Sequence, residues 1–220
     1  MKKLSERENE ALLRRYRIPF PKHVFAKNEA AAVKSTRALG FPVVMKVSSP
    51  DIIHKTEARC VILNIRDTNS LRAAYRQIIR NARKYKPRAR ILGVAVFQMI
   101  PRGTREVIIG SKQDPQFGPV LMFGLGGIFV EVLKDVSFRL VPLERRDARE
   151  MVREIRSFKI LEGVRGQKPV NFRLLEDTIM KVSKMVRDNT GKGRKIQELD
   201  INPLFIDEKR VWAADVRILI

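Results

Sequence analysis

Residues Gly103–Leu143 read GTREVIIGSKQDPQFGPVLMFGLGGIFVEVLKDVSFRLVPL. The apolar runs in this stretch are short and β-branched, the pattern of strands rather than helices. Single charged residues, Glu106, Asp114, Glu131, Lys134 and Asp135, punctuate those runs at positions able to face a ligand. The turn Gly124-Leu125-Gly126-Gly127 has little side chain to cover its backbone N–H groups, so an anion can approach closely. Glycine at sheet corners and charges in water is the plainer account of any one of these residues. Their coincidence in one stretch favours a binding site built on a sheet.

The chain of 220 residues is long enough for a sizeable core, in one large domain or two small lobes. Its mean hydropathy of −0.23 is ordinary for a soluble protein. No run approaches the ~20 apolar residues of a membrane span. The first residues, MKKLSERENEALLRRYRI, lack the apolar centre of a signal peptide, so a cytoplasmic location is expected. A single cysteine, Cys60, excludes an internal disulfide and a metal cluster of cysteines alone. With His23 and His54 as the two histidines, a histidine-rich metal site is excluded as well.

The net charge of +21 attracts polyanions: nucleic acid, phosphorylated metabolites or acidic proteins. Between Ser70 and Arg90 there is no acidic residue, and Arg72, Arg76, Arg80 and Lys84 recur every four positions as one helical stripe. Either the stripe is a solvated surface or it meets a polyanion. No aromatic residues interleave its basic face and no RNP-like pattern or zinc knuckle accompanies it, which weighs against nucleic acid.

Taken in order, Ser5–Tyr16 predicts a helix with Ser5 and Glu8 as a capping box, stopped by Pro19 and Pro21. Asn28 caps a second helix over Glu29–Leu39, ended by Gly40. Pro42–Ser48 is a buried strand interrupted by Lys46, which either reaches water at a strand end or points into a pocket. A polar loop, Ser49–Arg59, leads to a strand at Cys60–Ile65, the basic helix from about Ser70 to Tyr85, and a β-type run at Ile91–Met99. Ile100-Pro101-Arg102-Gly103 is the expected hinge, dividing a first lobe with its leading helix (1–99) from a second (100–220). Beyond Leu143 come a charged helix over Glu144–Ser157, a loop at Gly163–Pro169, and a long helix capped by Asn171. A flexible TGKGRK tract and a hairpin turning at Asp207-Glu208-Lys209 follow.

In that hairpin, period two puts Glu198, Asp200 and Asn202 on one face and Leu199 and Ile201 on the other. A turn centred near Glu208 brings Asn202 close to Ala214 or Asp215. Oxygen ligands converging at a hairpin end suit Mg²⁺, which takes one or two carboxylates plus waters and phosphates. A polar sheet face accounts for the same pattern.

Five pieces carry a resemblance in their order and spacing. They are PVVMKVSSPDIIHKTEA, the Gly103–Leu143 stretch, LEGVRGQKP, ELDINPLF and the final ADVRI. Together they resemble the ATP-grasp β subunit of the ADP-forming (NDP-forming) acyl-CoA synthetases of the archaeal acetyl-CoA synthetase type. They are more distantly similar to the β chain of succinyl-CoA synthetase. The resemblance covers nearly the whole chain. It implies an α/β (α+β) ATP-grasp fold whose two lobes clamp ATP or ADP between sheets, with Mg²⁺. It implies the reaction acyl-CoA + ADP + phosphate ⇌ carboxylic acid + CoA + ATP, shared with a CoA-binding α subunit in an α2β2 assembly. It further implies roles by position. Lys46 contacts nucleotide phosphates, His54 is the phosphohistidine, and Gln98, Met99 and Ile100 form the hinge that reads adenine. Glu106 lies on the ribose or phosphate side, Asn202 and Asp215 hold the metal, and Asp200 stands near the phosphohistidine. His23 is given no part. One departure stands out: Arg59 and Cys60 occupy positions where the family has two glycines.

Two other functions remain open from sequence. A basic ATP-grasp-like module binding nucleic acid or serving as a scaffold is favoured by the net charge and by Arg59-Cys60. A stand-alone ligase making an acyl phosphate for an amine acceptor is disfavoured by the His54 loop, because such ligases need no histidine carrier.

Overall fold

The computed structural model describes residues 1–127, 129–190 and 195–220, with the side chains of Ser35, Phe129 and Glu131 set aside. It forms two compact units, Pro21–Ile100 and a second made of Met1–Phe20 with Pro101–Ile220. The tract TGKGRK lies, at 191–194, outside the described residues. Among the described residues no helix is long and apolar enough to cross a membrane.

The chain opens with α1 (Glu6–Arg15), whose Ser5–Glu8 capping box is formed as expected. The first unit then runs β1 (His23–Ala26), α2 (Glu29–Leu39), β2 (Val43–Ser48), β3 (Val61–Ile65), α3 (Thr68–Tyr85) and β4 (Gly93–Gln98). Its strands are antiparallel in the order β1-β4-β2-β3. Alternation along β2 sends Val43, Met45 and Val47 into a core with Leu71, Ala74, Ile78 and Ala82 of α3. Val44, Lys46 and Ser48 stay on the other face. Helix α3 begins earlier than its apolar pattern predicts, because Asp67 and Ser70 form a capping box ahead of it. Two residues of its basic stripe share one acid: Arg72 and Arg76 both bind the Glu29 carboxylate, at 2.9 and 2.8 Å.

The second unit continues with β5 (Arg105–Asp114), β6 (Gly118–Leu125), a π-helical turn at Phe129–Leu133, β7 (Val136–Leu140), α4 (Arg145–Glu154), α5 (Phe158–Glu162) and α6 (Phe172–Asp188). β8 (Glu198–Ile206), β9 (Val211–Ala213) and β10 (Val216–Leu219) close the chain. The strands pair antiparallel as β10-β8-β5-β6-β7, with β9 also on β8. Val107, Ile109, Leu121, Phe123, Leu199 and Ile201 face inward onto α6, through Leu175, Ile179, Val182 and Val186. The charged helix expected over Glu144–Ser157 is α4, which ends at Glu154; α5 starts only at Phe158. The Asp135 carboxylate takes the N–H groups of Arg156 and Ser157, both at 2.8 Å, and turns the chain between them.

The leading helix is placed differently from the expected 1–99 lobe. Leu4, Leu13, Tyr16 and Ile18 are buried in the core of the second unit. Lys2 and Ile220 exchange backbone hydrogen bonds at 2.7 and 2.9 Å, Leu4 N donates to Ile218 O, and Ala213 N donates to Pro19 O. Pro21 fixes where the chain leaves that sheet, so the first unit begins there. Leu13→Ala should therefore cost ~2–5 kcal/mol in the second unit alone. Hydrogen exchange would show amides of β8, β10 and α6 losing protection while those of β2 and β4 keep theirs. Loss confined to β2 and β4 would reverse the assignment.

Candidate functional site

In the first unit, Lys46 stands on β2 opposite Ala95 of β4 and Val61 of β3, two residues before the strand ends. Its ammonium lies 5.0 Å from the centre of the Phe97 ring, a cation–π distance. From the β1 side, His23 stacks on that ring at 5.0 Å. His23 thus shares an aromatic support with Lys46, a link that four residues of strand between two turn signals did not reveal.

The β2–β3 connection carries His54. Ile52, Ala58 and Cys60 are buried and anchor the loop, while His54 is exposed. Glu57 Oε1 lies 3.5 Å from His54 Nδ1, so Glu57 is the carboxylate placed to orient the ring. Asp51, the other acidic neighbour, instead accepts the Arg90 N–H at 2.6 Å and ties the loop to the start of β4. Arg59 takes a left-handed backbone, φ 52°, the region glycine favours. Its carbonyl accepts from Asn81 Nδ2 of α3 at 2.6 Å. Cys60 fills the space beneath, its thiol pushed up by burial and donating to the Ala58 carbonyl. The amides of Arg59 and Cys60 are already committed, to Thr56 O and Lys55 O. These two N–H groups close the loop on itself.

At the hinge, Gln98 N donates to Lys22 O and Met99 N to Pro42 O. Two of the hinge amides are thereby used inside this unit. Ile100 is its last residue.

In the second unit, Glu106 lies on the outer face of β5 beside the glycine turn. Gly126 N donates to Glu106 O at 2.8 Å, and a side chain on Gly126 would meet the Glu106 backbone at 3.3 Å. The turn is more enclosed than its sequence suggests. Gly124 belongs to β6, and a Cβ there would fall 2.7 Å from Asp135 O, so close strand approach requires glycine. Two charges of the stretch are also spent locally. Asp114 accepts the N–H groups of Gln116 and Phe117, which hold its carboxyl below the usual range. Asp135 makes the turn between α4 and α5. The Glu131 side chain lies outside the described set.

The hairpin reading survives an interruption. The closing strand breaks at Ala214-Asp215 into β9 and β10, yet Leu204 pairs with Ala213 and Ile201 with Val216. This register sets Asn202 opposite Asp215, with Asn202 N donating to Asp215 O at 3.1 Å. Asp200 sits on the same face, opposite Gly110 and Arg217. Burial pushes the Asp200 carboxyl up; Arg217 opposes this and the charges of Asp215 and Glu198 add to it. Negative charge thus gathers where two neutral or acidic oxygen donors adjoin. That set fits a hard divalent cation completing its shell with water and phosphate. Among the described residues no three His, Cys, Asp or Glu side chains form a complete cage.

The raised value means that the folded protein holds the Asp200 proton more tightly than the unfolded chain, for which 3.8 is the reference. Ionised Asp200 therefore costs stability above the raised value, and the cost fades as pH falls through it and past 3.8. Asp200→Asn should raise the Tm of the metal-free protein at about pH 7.5, the gap to wild type closing as the pH approaches ~4. A Tm unchanged at the higher pH would contradict the burial argument.

The family model described as an ATP-grasp domain matches residues 1–220. The β subunit of acetate–CoA ligase [ADP-forming] I of Pyrococcus furiosus is 49% identical over 217 residues, covering 99% of this chain and 91% of that one. The dinucleotide forming acetyl-coenzyme A synthetase 1 of Ca. Korarchaeum cryptofilum has been solved with coenzyme A, Ca-AMPCP and HgCl⁺. It superposes with a TM-score of 0.93 at 40% identity, over 100% of this chain and 93% of that one. A selenomethionine form of that synthetase, with coenzyme A and Mg-AMPPCP, has its phosphohistidine segment pointing towards the nucleotide-binding site. It gives a TM-score of 0.83 at 36% identity over the same shares. Matched along its whole length by the domain family and nearly end to end by a curated subunit, the chain belongs to the ATP-grasp β subunits of the ADP-forming acetate–CoA ligases.

Proposed function

We propose that His54 of this β subunit accepts a phosphoryl group and passes it to ADP, while Lys46 and a Mg²⁺ held by Asn202 and Asp215 neutralise the phosphates. The observation that carries this reading is the construction of the β2–β3 connection. An exposed imidazole is held on a loop anchored by buried Ile52, Ala58 and Cys60, and the loop begins on the strand that bears Lys46.

Chemically, a neutral imidazole nitrogen is a competent phosphoryl acceptor near neutral pH. With Glu57 at Nδ1, Nε2 is the nitrogen turned to the incoming group. A P–N bond forms at His54 as the bond to the donor breaks. A terminal phosphate oxygen of ADP then attacks phosphorus, a P–O bond forms and the P–N bond breaks, returning imidazole. Such transfers depend on in-line placement and charge neutralisation. Lys46 brings a point charge on a rigid strand, and Lys55 and Arg59 add positive charge around the loop. When bound, Mg²⁺ supplies further neutralisation of phosphate oxygens. Glu106, beside the glycine turn, is assigned to the ribose or phosphate side, and Gln98–Ile100 to the adenine edge. The hinge contribution falls on carbonyls and Ile100, given how the Gln98 and Met99 amides are used. A CoA-binding α subunit forms the acyl phosphate, in an α2β2 assembly, and the cell compartment is the cytoplasm. The nucleic-acid reading loses support because Arg72 and Arg76 are both engaged by Glu29, which offsets part of their charge.

The test incubates the protein with its α subunit, acyl-CoA and labelled phosphate, then looks for an acid-labile, base-stable label on the β chain. His54→Ala should abolish the label and net ATP formation while nucleotide binding stays near wild type. His23→Ala should still be labelled. A His54→Ala complex that makes ATP at the wild-type rate would remove the assignment. Separately, Lys46→Ala should weaken MgADP binding by roughly 1.5–3 kcal/mol, the worth of a charge-assisted phosphate contact, as read by titration calorimetry. Equal binding by the variant would mean that the phosphates lie elsewhere.

A further inference from the structure

The strand β10 is an edge strand, and its outward backbone is paired in an unusual way. Lys2 and Leu4 run beside it as a short strand, bonding Ile220 and Ile218. The chain then turns into α1, and among the described residues no backbone N–H follows on to the next outward carbonyl, that of Val216. Asn9 Nδ2 takes that place, donating to Val216 O at 2.8 Å. The side-chain amide extends the ladder by one rung.

Asn9 is an odd residue for the purpose. It shares the buried face of α1 with Leu13 and is itself 4% exposed. Its Oδ1 is buried with no hydrogen-bond partner among the described residues. An orphaned buried acceptor costs about 1–3 kcal/mol, a cost offset by the bond to Val216 O, which would otherwise itself lack a donor. What the amide holds is the carbonyl of the residue that follows Asp215, in the Val216–Arg217 peptide. Val216 N donates to Asp215 Oδ1 at 3.0 Å, while Val216 O accepts from Asn9. The neighbouring groups are fixed as well: Ala213 N by Pro19 O, Ala214 N by Pro203 O, and Asp215 O by Asn202 N. Asp215 sits in the break between β9 and β10.

We infer that Asn9 is a positioning residue for the Asp215 carboxylate, and that the N-terminal segment thereby tunes the affinity of the cation that Asn202 and Asp215 hold. The inference rests on Asp215 being a metal ligand. Partners that orient a ligand typically contribute 10–100-fold to metal affinity.

The test uses the full chain with ADP and Mn²⁺ as the probe, free Mn²⁺ being read by its electron paramagnetic resonance signal. Tm is measured alongside. Asn9→Leu and Asn9→Ala should each weaken Mn²⁺ binding by ~10–100-fold, with ADP binding in chelator unchanged. Asn9→Gln, which keeps a donor, should recover most of the loss. Either donorless variant that stays folded suffices. If both bind Mn²⁺ as wild type does and differ from it in Tm alone, Asn9 is structural and the inference is overturned. Asp215→Ala separates the two levels. If it binds Mn²⁺ normally, the metal reading itself fails. If it loses Mn²⁺ while the Asn9 variants keep it, the Asn9 inference alone fails.

Discussion

The pairing of β8 with its neighbours is the constraint on which the second unit depends. Along a strand, side chains alternate, so a slip of one residue would turn Glu198, Asp200 and Asn202 into the core and expel Leu199 and Ile201. Burying two carboxylates without partners is prohibitive, whereas the observed register buries the aliphatic residues against α6. The same register continues through the break between β9 and β10, which is why a carboxylate arrives opposite Asn202. Hydrophobic burial therefore selects the arrangement of the polar face, though the polar groups contribute little to it.

In the first unit the corresponding constraint is the anchoring of one loop. A residue meant to meet a phosphate must be exposed, and an exposed loop of this length has much freedom to lose. Burial of Ile52, Ala58 and Cys60 removes most of that freedom and leaves His54 outside. Arg59 and Cys60 close this loop. The left-handed backbone at Arg59 costs roughly 1–2 kcal/mol that glycine would avoid. The Asn81 bond and the packing of Cys60 on α3 offset it.

Much of this was legible in the sequence because it follows from local periodicity. The Ser5–Glu8 capping box, the span of α2, the alternation along β2 and the polar face of β8 each depend on a few adjacent residues. The parts that were not legible depend on partners far away in the chain. Strand β1 is four residues long and owes its existence to β4. The membership of α1 is decided by Leu4 and Leu13 meeting the closing strands, about two hundred residues later in sequence. Asp114 and Asp135 read as ligand-facing because a sequence does not show which backbone amides lie within reach; both prove to be turn-makers. The glycines of the central stretch misled for the same reason. At Gly124 the need is for room beside Asp135, not for access by an anion.

The way the first twenty residues join the last ten bears on how the molecule comes into being. Pro21–Ile100 is continuous, so everything it packs against is present soon after its own synthesis. The other unit is discontinuous: Leu4 waits for Ile218, and Asn9 for Val216. During translation at about 5–20 residues per second, the leading helix spends roughly ten to forty seconds without the edge it will cover. Throughout that interval Leu4, Leu13, Tyr16 and Ile18 have no native home, and the unclosed edge of β10 does not yet exist to receive them. The nascent chain thus folds from its middle outward, and the Asp215 corner is set last.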